Sequence, residues 1–361
     1  MIRRILLFLV LPPLIFMLYA AISVLHATWT DFSPPPVTPL ANEGTPATQS
    51  VDSILTCLTY NIGYAGMGKE TAFFFDQGKQ LHSGDAPVIM PEANVRKNLN
   101  GIEHLLAAHS ADVVLLQEVD RDSKRSHHVD QFEAFNDALG PVESHFALNY
   151  HVRRIPVPNL EPFNVFGKVY SGLSTHSRHP VSRAERISLA GQYGWPDRVF
   201  QLDRCILVTR TPFGSGELVI VNLHLSAYDP GGTMKSEQMN QLRDFALAEY
   251  ASGHHVVLGG DWNQCPPGMD PDVLSPVPSP MLDALNSIDT GFMPQGWTWA
   301  WQDGVPTNRD GATAFSPDSS AVSLLDFYLC SPNVDLLEIK TLNEGFDHSD
   351  HHAVHARFRL K

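Results

Sequence analysis

The chain has 361 residues, 43% hydrophobic and 18% charged, which suffices for one large domain with a proper core. Its formal net charge is −14. Duplex affinity comes largely from Lys and Arg contacts to phosphate, so this balance disfavours non-specific adsorption to nucleic acid without excluding a nucleic-acid substrate.

The N-terminus reads as a targeting segment. Arg3 and Arg4 precede an uncharged run from Ile5 to Leu25, whose 21 residues are enough to span a bilayer. The arginines favour an inside N-terminus, with the rest of the chain outside. Ala21-Ile22-Ser23 fits a small-x-small cleavage pattern, and Pro12 and Pro13 would kink a helix, so residues 1–27 stand as a signal-anchor or a signal peptide. The protein is expected to be membrane-anchored with an extracytoplasmic domain, or secreted. Residues 28–53 are rich in Pro, Thr and Ser without periodicity and are expected to form a semi-extended tether. The domain is expected to run from Ile54 to Lys361.

Apolar, β-branched runs mark strands at SILTCLTYN, ADVVLLQEV, ELVIVNLHL and HHVVLGGDWN. Pro91 opens a helix with Val95, Leu99, Ile102 and Leu106 on one face. A second helix is expected from Thr233 to Ser252, presenting Met239, Leu242, Phe245 and Ala246, with Gly253 as its stop. Strand, helix and strand therefore alternate, which points to a layered α/β fold. Residues 66–90 and 121–164 fit neither period and are expected to be long loops, which are often functional. The cysteines at 57, 205, 265 and 330 lack metal-ligand spacing and are expected to be buried thiols, with a disulfide possible outside the cytosol.

Five short motifs stand out. Thr59-Tyr60-Asn61, Leu116-Gln117-Glu118, Asn222-Leu223-His224-Leu225 and Gly260-Asp261-Trp262-Asn263 end the four apolar runs, and Ser349-Asp350-His351 lies in a polar stretch some way after LLDFYLCSP. Polar residues just past buried strand ends sit at the rim of a sheet, where sites gather. Converging, they would make an acidic, His-containing pocket suited to a hard cation and a phosphate ester. Each residue also has a structural reading. Glu118 could end in a strand-end salt bridge, Asp261 and Asn263 in an Asx turn, and His224 in the core. Arg204, alone in the strand-like LDRCILV, must find an anion, either phosphate or a structural carboxylate. Lys168 is a second phosphate-binding candidate. Arg125 and His128 either line the pocket or belong to a solvated charged loop. Zinc is the competing metal, but no zinc-helix spacing is present.

In this order over about 290 residues, the motifs resemble the endonuclease/exonuclease/phosphatase superfamily, over roughly residues 54 to 360, and in particular a bacterial membrane-associated branch. The resemblance implies a four-layer α/β sandwich of two mixed β-sheets flanked by helices, and hydrolysis of phosphate esters with a divalent metal, Mg²⁺ or else Mn²⁺. It implies Glu118, Asn61 and Asp350 on the metal side. It gives Asp261 the attacking water, Asn263 a phosphate oxygen, and His224 a non-bridging oxygen. His351 is implied beside the scissile phosphate, oriented by Asp326. Ala353 and Trp262 depart from the Pro and Phe more common in the family. His224-Leu225-Ser226-Ala227-Tyr228 looks like a segment of sphingomyelinases and 5-phosphatases. The substrate reading leans to a lipid headgroup or small phosphodiester, with nucleic acid, or a catalytically silent binding module, as alternatives.

Overall fold

The computed structural model describes residues 2–227, 229 and 232–361, with side chains from Leu9 onward; Tyr228 and the side chains of Arg3 and Arg4 lie outside the described residues. Two mixed sheets carry the domain. The six-stranded sheet runs Val334–Leu342, Ala353–Leu360, Ile54–Asn61, Val113–Asp120, Gly167–Ser177, Glu143–Ile155 across its width. The seven-stranded sheet runs Val37–Pro39, Arg183–Ser188, Cys205–Phe213, Gly216–His224, His255–Asp261, Asp326–Cys330, Thr298–Ala300.

Strand alternation sorts the side chains into four layers. Leu55, Cys57, Val113 and Leu115 from one sheet meet Leu218, Ile220, Val257, Tyr328 and Cys330 from the other in a shared core. The opposite parity faces outward under helices. Leu58, Tyr60, Val114 and Leu116 pack beneath helices Glu92–Ala108 and Gln131–Leu139. Val219, Val221, Val256 and Leu258 pack beneath helix Thr233–Ala251. The helix faces expected at Val95, Leu99, Ile102 and Leu106, and at Met239, Leu242 and Ala246, are buried there.

The inward parity continues to the strand ends and there turns polar. The rows Cys57-Thr59-Asn61, Val113-Leu115-Gln117, Ile220-Asn222-His224 and Val257-Gly259-Asp261 each pass from core to site without leaving the inner face. The amides along these rows join the two sheets. Gln117 Nε2 donates to Asn222 Oδ1 (2.8 Å), and Asn222 Nδ2 donates to the carbonyls of Leu116 (3.1 Å) and Ser174 (2.8 Å).

Two sequence expectations change. The segment 28–53 is not a free tether. Val37–Pro39 pairs antiparallel with Arg183–Ser188, and Glu43 N bonds Ser144 O, so open backbone groups on a sheet edge capture it. Residues 121–164 are not one loop: they contain helix Gln131–Leu139, capped by Asp130, and strand Glu143–Ile155. That helix is short, and register shifts at Leu148/Tyr150 and Val152/Ile155 break the strand's alternation, so neither period stands out. Pro12 and Pro13 lie inside one continuous helix, Ile2–Trp29. All four cysteines are buried and unpaired.

Replacing Asn222 by Ala leaves Gln117 Nε2 with Thr59 Oγ1 and Leu115 O but removes the side-chain donor from the Leu116 and Ser174 carbonyls and the link between the sheets. A loss of about 2 kcal/mol is expected, read as a lower denaturant midpoint with unchanged slope. His176 lies buried with its ring nitrogens on Ser144 Oγ (3.1 Å) and Ser174 Oγ (3.0 Å), and burial pushes its pKa down to about 3. A neutral buried ring contributes stability above the unfolded imidazole pKa and loses it as pH falls from there towards the folded value. At pH 5 the loss from this one group is about 2 kcal/mol. Thermal melts at pH 7.5 and pH 5 are expected to differ less in His176→Gln than in the unmutated chain.

Candidate active site

Three adjacent strands of the seven-stranded sheet end in register, with His224 beside Asp261 and Asp261 beside Asp326. Two glycines make this possible. Gly260 sits at φ 149°, where an added Cβ would lie 2.0 Å from Leu223 O, and a Cβ on Gly259 would lie 2.5 Å from the Tyr328 ring. Trp262 points outward and stacks on Phe327, which leaves Asp261 and Asn263 facing the site.

Asp261 is 1% exposed and is the junction of the site. Its Oδ2 accepts from Asn61 Nδ2 at 3.0 Å, and its Oδ1 accepts from Asn263 N at 2.8 Å, which closes an Asx turn. His224 Nε2 lies 3.5 Å and His351 Nε2 3.8 Å from Oδ2. Burial raises the Asp261 pKa to about 6, against the pull of His351. His351 Nδ1 donates to Asp326 Oδ2 at 2.8 Å. Burial opposes the imidazolium, but the charges of Asp326 and Asp261 outweigh it and lift His351 to about 10. Burial, together with the charges of Arg204 and His351, pushes His224 well down, so that ring is neutral. The neighbouring histidines are committed elsewhere. His352 bonds Pro306 O and Phe346 N, and the His348 ring sits against Gly101.

Asp261, Asp326 and His351 each bring a ligand atom within 4.8 Å of the others, so they form a compact acidic cluster. Both nitrogens of His351 are already engaged, however: Nδ1 by Asp326, and Nε2 by Asn308 Nδ2 at 3.0 Å. When the ring is protonated, a flip of the Asn308 amide presents its oxygen to Nε2–H.

Glu118 breaks the inward parity, since Gln117 takes the inner face. A bulge between Leu116 and Val119 and a left-handed backbone at φ 58° turn it into the cavity. Such strain on a non-glycine residue marks sites where the surroundings over-determine the backbone. No ion pair or hydrogen bond of its carboxylate is found among the described residues. Burial raises its pKa, with Arg125 lowering and Asp350 raising it. The strand-end salt bridge is therefore not formed. Asp350 Oδ1 lies 3.3 Å from Ser349 Oγ and packs so close to Gly63 (φ 49°) that a Cβ there would meet it at 2.7 Å. Asn61 Oδ1 accepts from Gly63 N at 3.1 Å.

Asn61, Glu118, Arg204, His224, Asp261, Asn263, Asp350 and His351 all line one cavity of about 880 Å³. Asp326, fully buried, stands behind His351. Arg204 has no carboxylate within 4.0 Å among the described residues; its Nη1 donates to His224 O at 3.3 Å, so the structural pair is not made. Asn263 Nδ2 donates to Leu225 O at 2.9 Å. Lys168 is the exception. It pairs with Asp122 on the surface and does not line the cavity, because its strand position faces away from the site. His128 is likewise exposed on Asp122. Arg125 is buried, forked onto Asp120 (2.9 and 3.0 Å), and lies 3.9 Å above the Tyr64 ring, and it does line the cavity.

Sequence reasoning passed over Asn308 and Arg309. They form a two-residue strand that bridges to His351, with no periodic signal around it. Buried Arg309 spends its Nη atoms on the carbonyls of Met67, Gly68, Asp310 and Thr313, tying two loops to the cavity wall.

Comparison with known proteins agrees with this architecture. A structure described as an endonuclease/exonuclease/phosphatase from Beutenbergia cavernae DSM 12333 is 19% identical with a TM-score of 0.51, covering 85% of this chain and 72% of that one. TDP2 from C. elegans is 14% identical, TM-score 0.52, covering 85% and 75%. D. rerio TDP2 complexed with single strand DNA product is 16% identical, TM-score 0.50, covering 86% and 100%. At these identities the likeness shows the fold. No curated protein matches the chain. The model of the Endonuclease/Exonuclease/phosphatase family matches residues 58–351, and the chain belongs to that family.

Proposed function

We propose that this protein is a divalent-metal-dependent phosphoesterase, anchored in a membrane by its N-terminal helix, with the catalytic domain outside the cytoplasm. The observation that carries the chemistry is Asp261, a buried carboxylate held by Asn61 and Asn263 and faced by His224 and His351, on a cavity that also exposes two carboxylates without ion pairs. A raised Glu118 pKa, partly caused by Asp350, is relieved by a bound cation, so the donor set fits a hard metal. Glu118 and Asp350, with Asn61 beside them, would hold Mg²⁺ or Mn²⁺, which when bound withdraws negative charge from the phosphate.

The chain's own residues do the rest. Asp261 Oδ2 orients water and takes its proton as the oxygen attacks phosphorus in line with the leaving oxygen. Neutral His224 donates towards a non-bridging oxygen as its charge grows, Arg204 adds fixed positive charge, and Asp326 holds the His351 ring in place. As the phosphorus–oxygen bond to the leaving group breaks, the leaving oxygen takes a proton from His351 Nε2.

The substrate reading is a lipid headgroup or small phosphodiester. Phe73, Phe74, Phe75, Phe166 and Phe200 line the cavity beyond the acidic floor, which suits a substrate with an apolar portion. Helix Leu9–Trp29, with mean hydropathy 2.0 and only Ala27 buried, is long and apolar enough to cross a membrane. Nucleic acid is the second reading: D. rerio TDP2 is described with a single-strand DNA product, and aromatic walls can stack bases.

Full-length chain stripped of metal should regain turnover of bis-p-nitrophenyl phosphate with Mg²⁺ or Mn²⁺, and a panel of phospholipids, sphingomyelin and DNA chooses the substrate class. Glu118→Ala should weaken cation binding roughly tenfold or more by calorimetry. His351→Ala should lower kcat by roughly 10²–10⁴-fold with cation affinity kept, and Asn308→Ala by about tenfold. Asp326→Asn separates two cation placements. Lost turnover with normal cation affinity fits the assignment above, whereas lost affinity would move the metal onto the Asp261–Asp326–His351 cluster.

A further inference from the structure

The cavity opens between two features with no catalytic part. One is the end of the apolar N-terminal helix. Asp31, two residues beyond Trp29, lines the cavity and pairs with Arg198 at 3.4 Å, while Trp195 Nε1 donates to Thr28 Oγ1 at 3.1 Å. The other is a double loop. Asn159 N bonds Gln80 O (2.8 Å), Leu160 N bonds Leu81 O (3.0 Å), and Ser83 N bonds Glu161 Oε1 (2.6 Å), so residues 80–83 and 159–161 are tied together. Gln80 and Val157 of these loops line the same cavity.

The double loop presents three large apolar side chains to solvent, Leu81 (61% exposed), Leu160 (55%) and Phe163 (97%), among exposed polar neighbours His82, Asp85 and Asn164. Loops normally carry polar tips, and grouped exposed apolar side chains mark an interaction surface. Trp195 is 61% exposed beside the helix end. Arg153 and Arg154 are exposed at the base of the double loop, in a chain whose net charge is −14. Apolar and aromatic tips over local basic charge match the interface of an anionic bilayer.

We propose that Leu81, Leu160 and Phe163 form a second bilayer contact. It seats the cavity mouth on the membrane surface that the N-terminal helix enters. This rests on the reading above of that helix as an anchor and of the cavity as a phosphoesterase site, and it narrows the substrate class to a phosphate ester resident in the bilayer. Such a lipid passes from the membrane with its apolar part along Phe73, Phe75, Phe166 and Phe200 and its phosphate towards Asp261.

The test uses full-length chain reconstituted into vesicles of phosphatidylcholine and phosphatidylglycerol in equal parts. Because the native cysteines are buried, Phe163→Cys can be labelled selectively with an environment-sensitive fluorophore. Leu337→Cys is the control, on strand Val334–Leu342 at the opposite edge of the six-stranded sheet from Glu143–Ile155. Lipids carrying a quencher on the acyl chain should quench the label at 163 and leave that at 337. An unquenched label at 163, or equal quenching at both, overturns the proposal. The double variant Leu160→Asp/Phe163→Asp should then lose about tenfold or more of its turnover of a vesicle-embedded phosphate ester while keeping that of bis-p-nitrophenyl phosphate. Equal effects on both substrates also overturn it. If the unmutated chain turns over neither substrate, the phosphoesterase reading fails, and the quenching contrast alone decides the bilayer contact.

Discussion

The site depends on the register between two sheets that share no backbone ladder. Asn61 belongs to one sheet and Asp261 to the other, and their 3.0 Å hydrogen bond crosses the core. The His351–Asp326 hydrogen bond crosses it too: His351 lies two residues before strand Ala353–Leu360 of the six-stranded sheet, while Asp326 opens a strand of the seven-stranded one. A slip of one residue in either sheet would turn an inner row outward and dismantle every such pair. An apolar core alone is non-directional and would tolerate sliding. The Gln117–Asn222 bridge lies between the apolar core and the site, fully buried, and leaves a misaligned packing with orphaned amides. Polar groups inside the core thus fix the alignment on which the geometry at its end relies.

Strain is concentrated where this parity cannot deliver what the pocket requires. Two consecutive residues cannot both face inward from a regular strand. Gln117 is committed to the bridge, so Glu118 reaches the cavity through a bulge and a left-handed backbone. Asn263, at φ 49°, is turned similarly after Asp261. These conformations cost of order 1–3 kcal/mol each, which the surrounding sheets must offset. Carboxylates that find no ion pair among the described residues add a second local cost, which a bound cation would offset. The pocket is therefore the least self-sufficient part of an otherwise well-packed domain, as a binding surface for a charged ligand has to be.

Much of this was legible in the sequence because the strands that carry the site are buried on both faces. Continuous apolar runs such as ADVVLL and HHVVLGG mark strands without any tertiary knowledge, and the polar residue closing each run falls at the rim. The family's motif order then linked rims that no local reasoning could bring together. Asn308 escaped because it lies on a two-residue strand inside irregular chain, where neither period nor composition distinguishes it. Lys168 was misjudged because the basic residue nearest a motif need not share its face. Arg125 could not be decided from a charged loop, since only the fold buries it against Asp120 and Tyr64. The tether was misread for a related reason: a proline-rich segment without periodicity can still pair with an open sheet edge.

That last point alters how the N-terminal helix relates to the site. A free tether of about twenty-five residues would let the domain sample many orientations above a membrane, at an effective concentration set by its length. Here the chain leaves the helix at Trp29 and places Asp31 against Arg198 and Phe32 against His151. It pairs with the sheet edge from Val37 and then bonds back to Ser144 and Val142. Each contact is modest, and an exposed ion pair contributes little. In sequence, though, they leave little slack between helix and cavity. With that helix in a membrane, as proposed, the orientation of the domain would be a property of the fold, and the entropy of orienting it would be lost once, on folding.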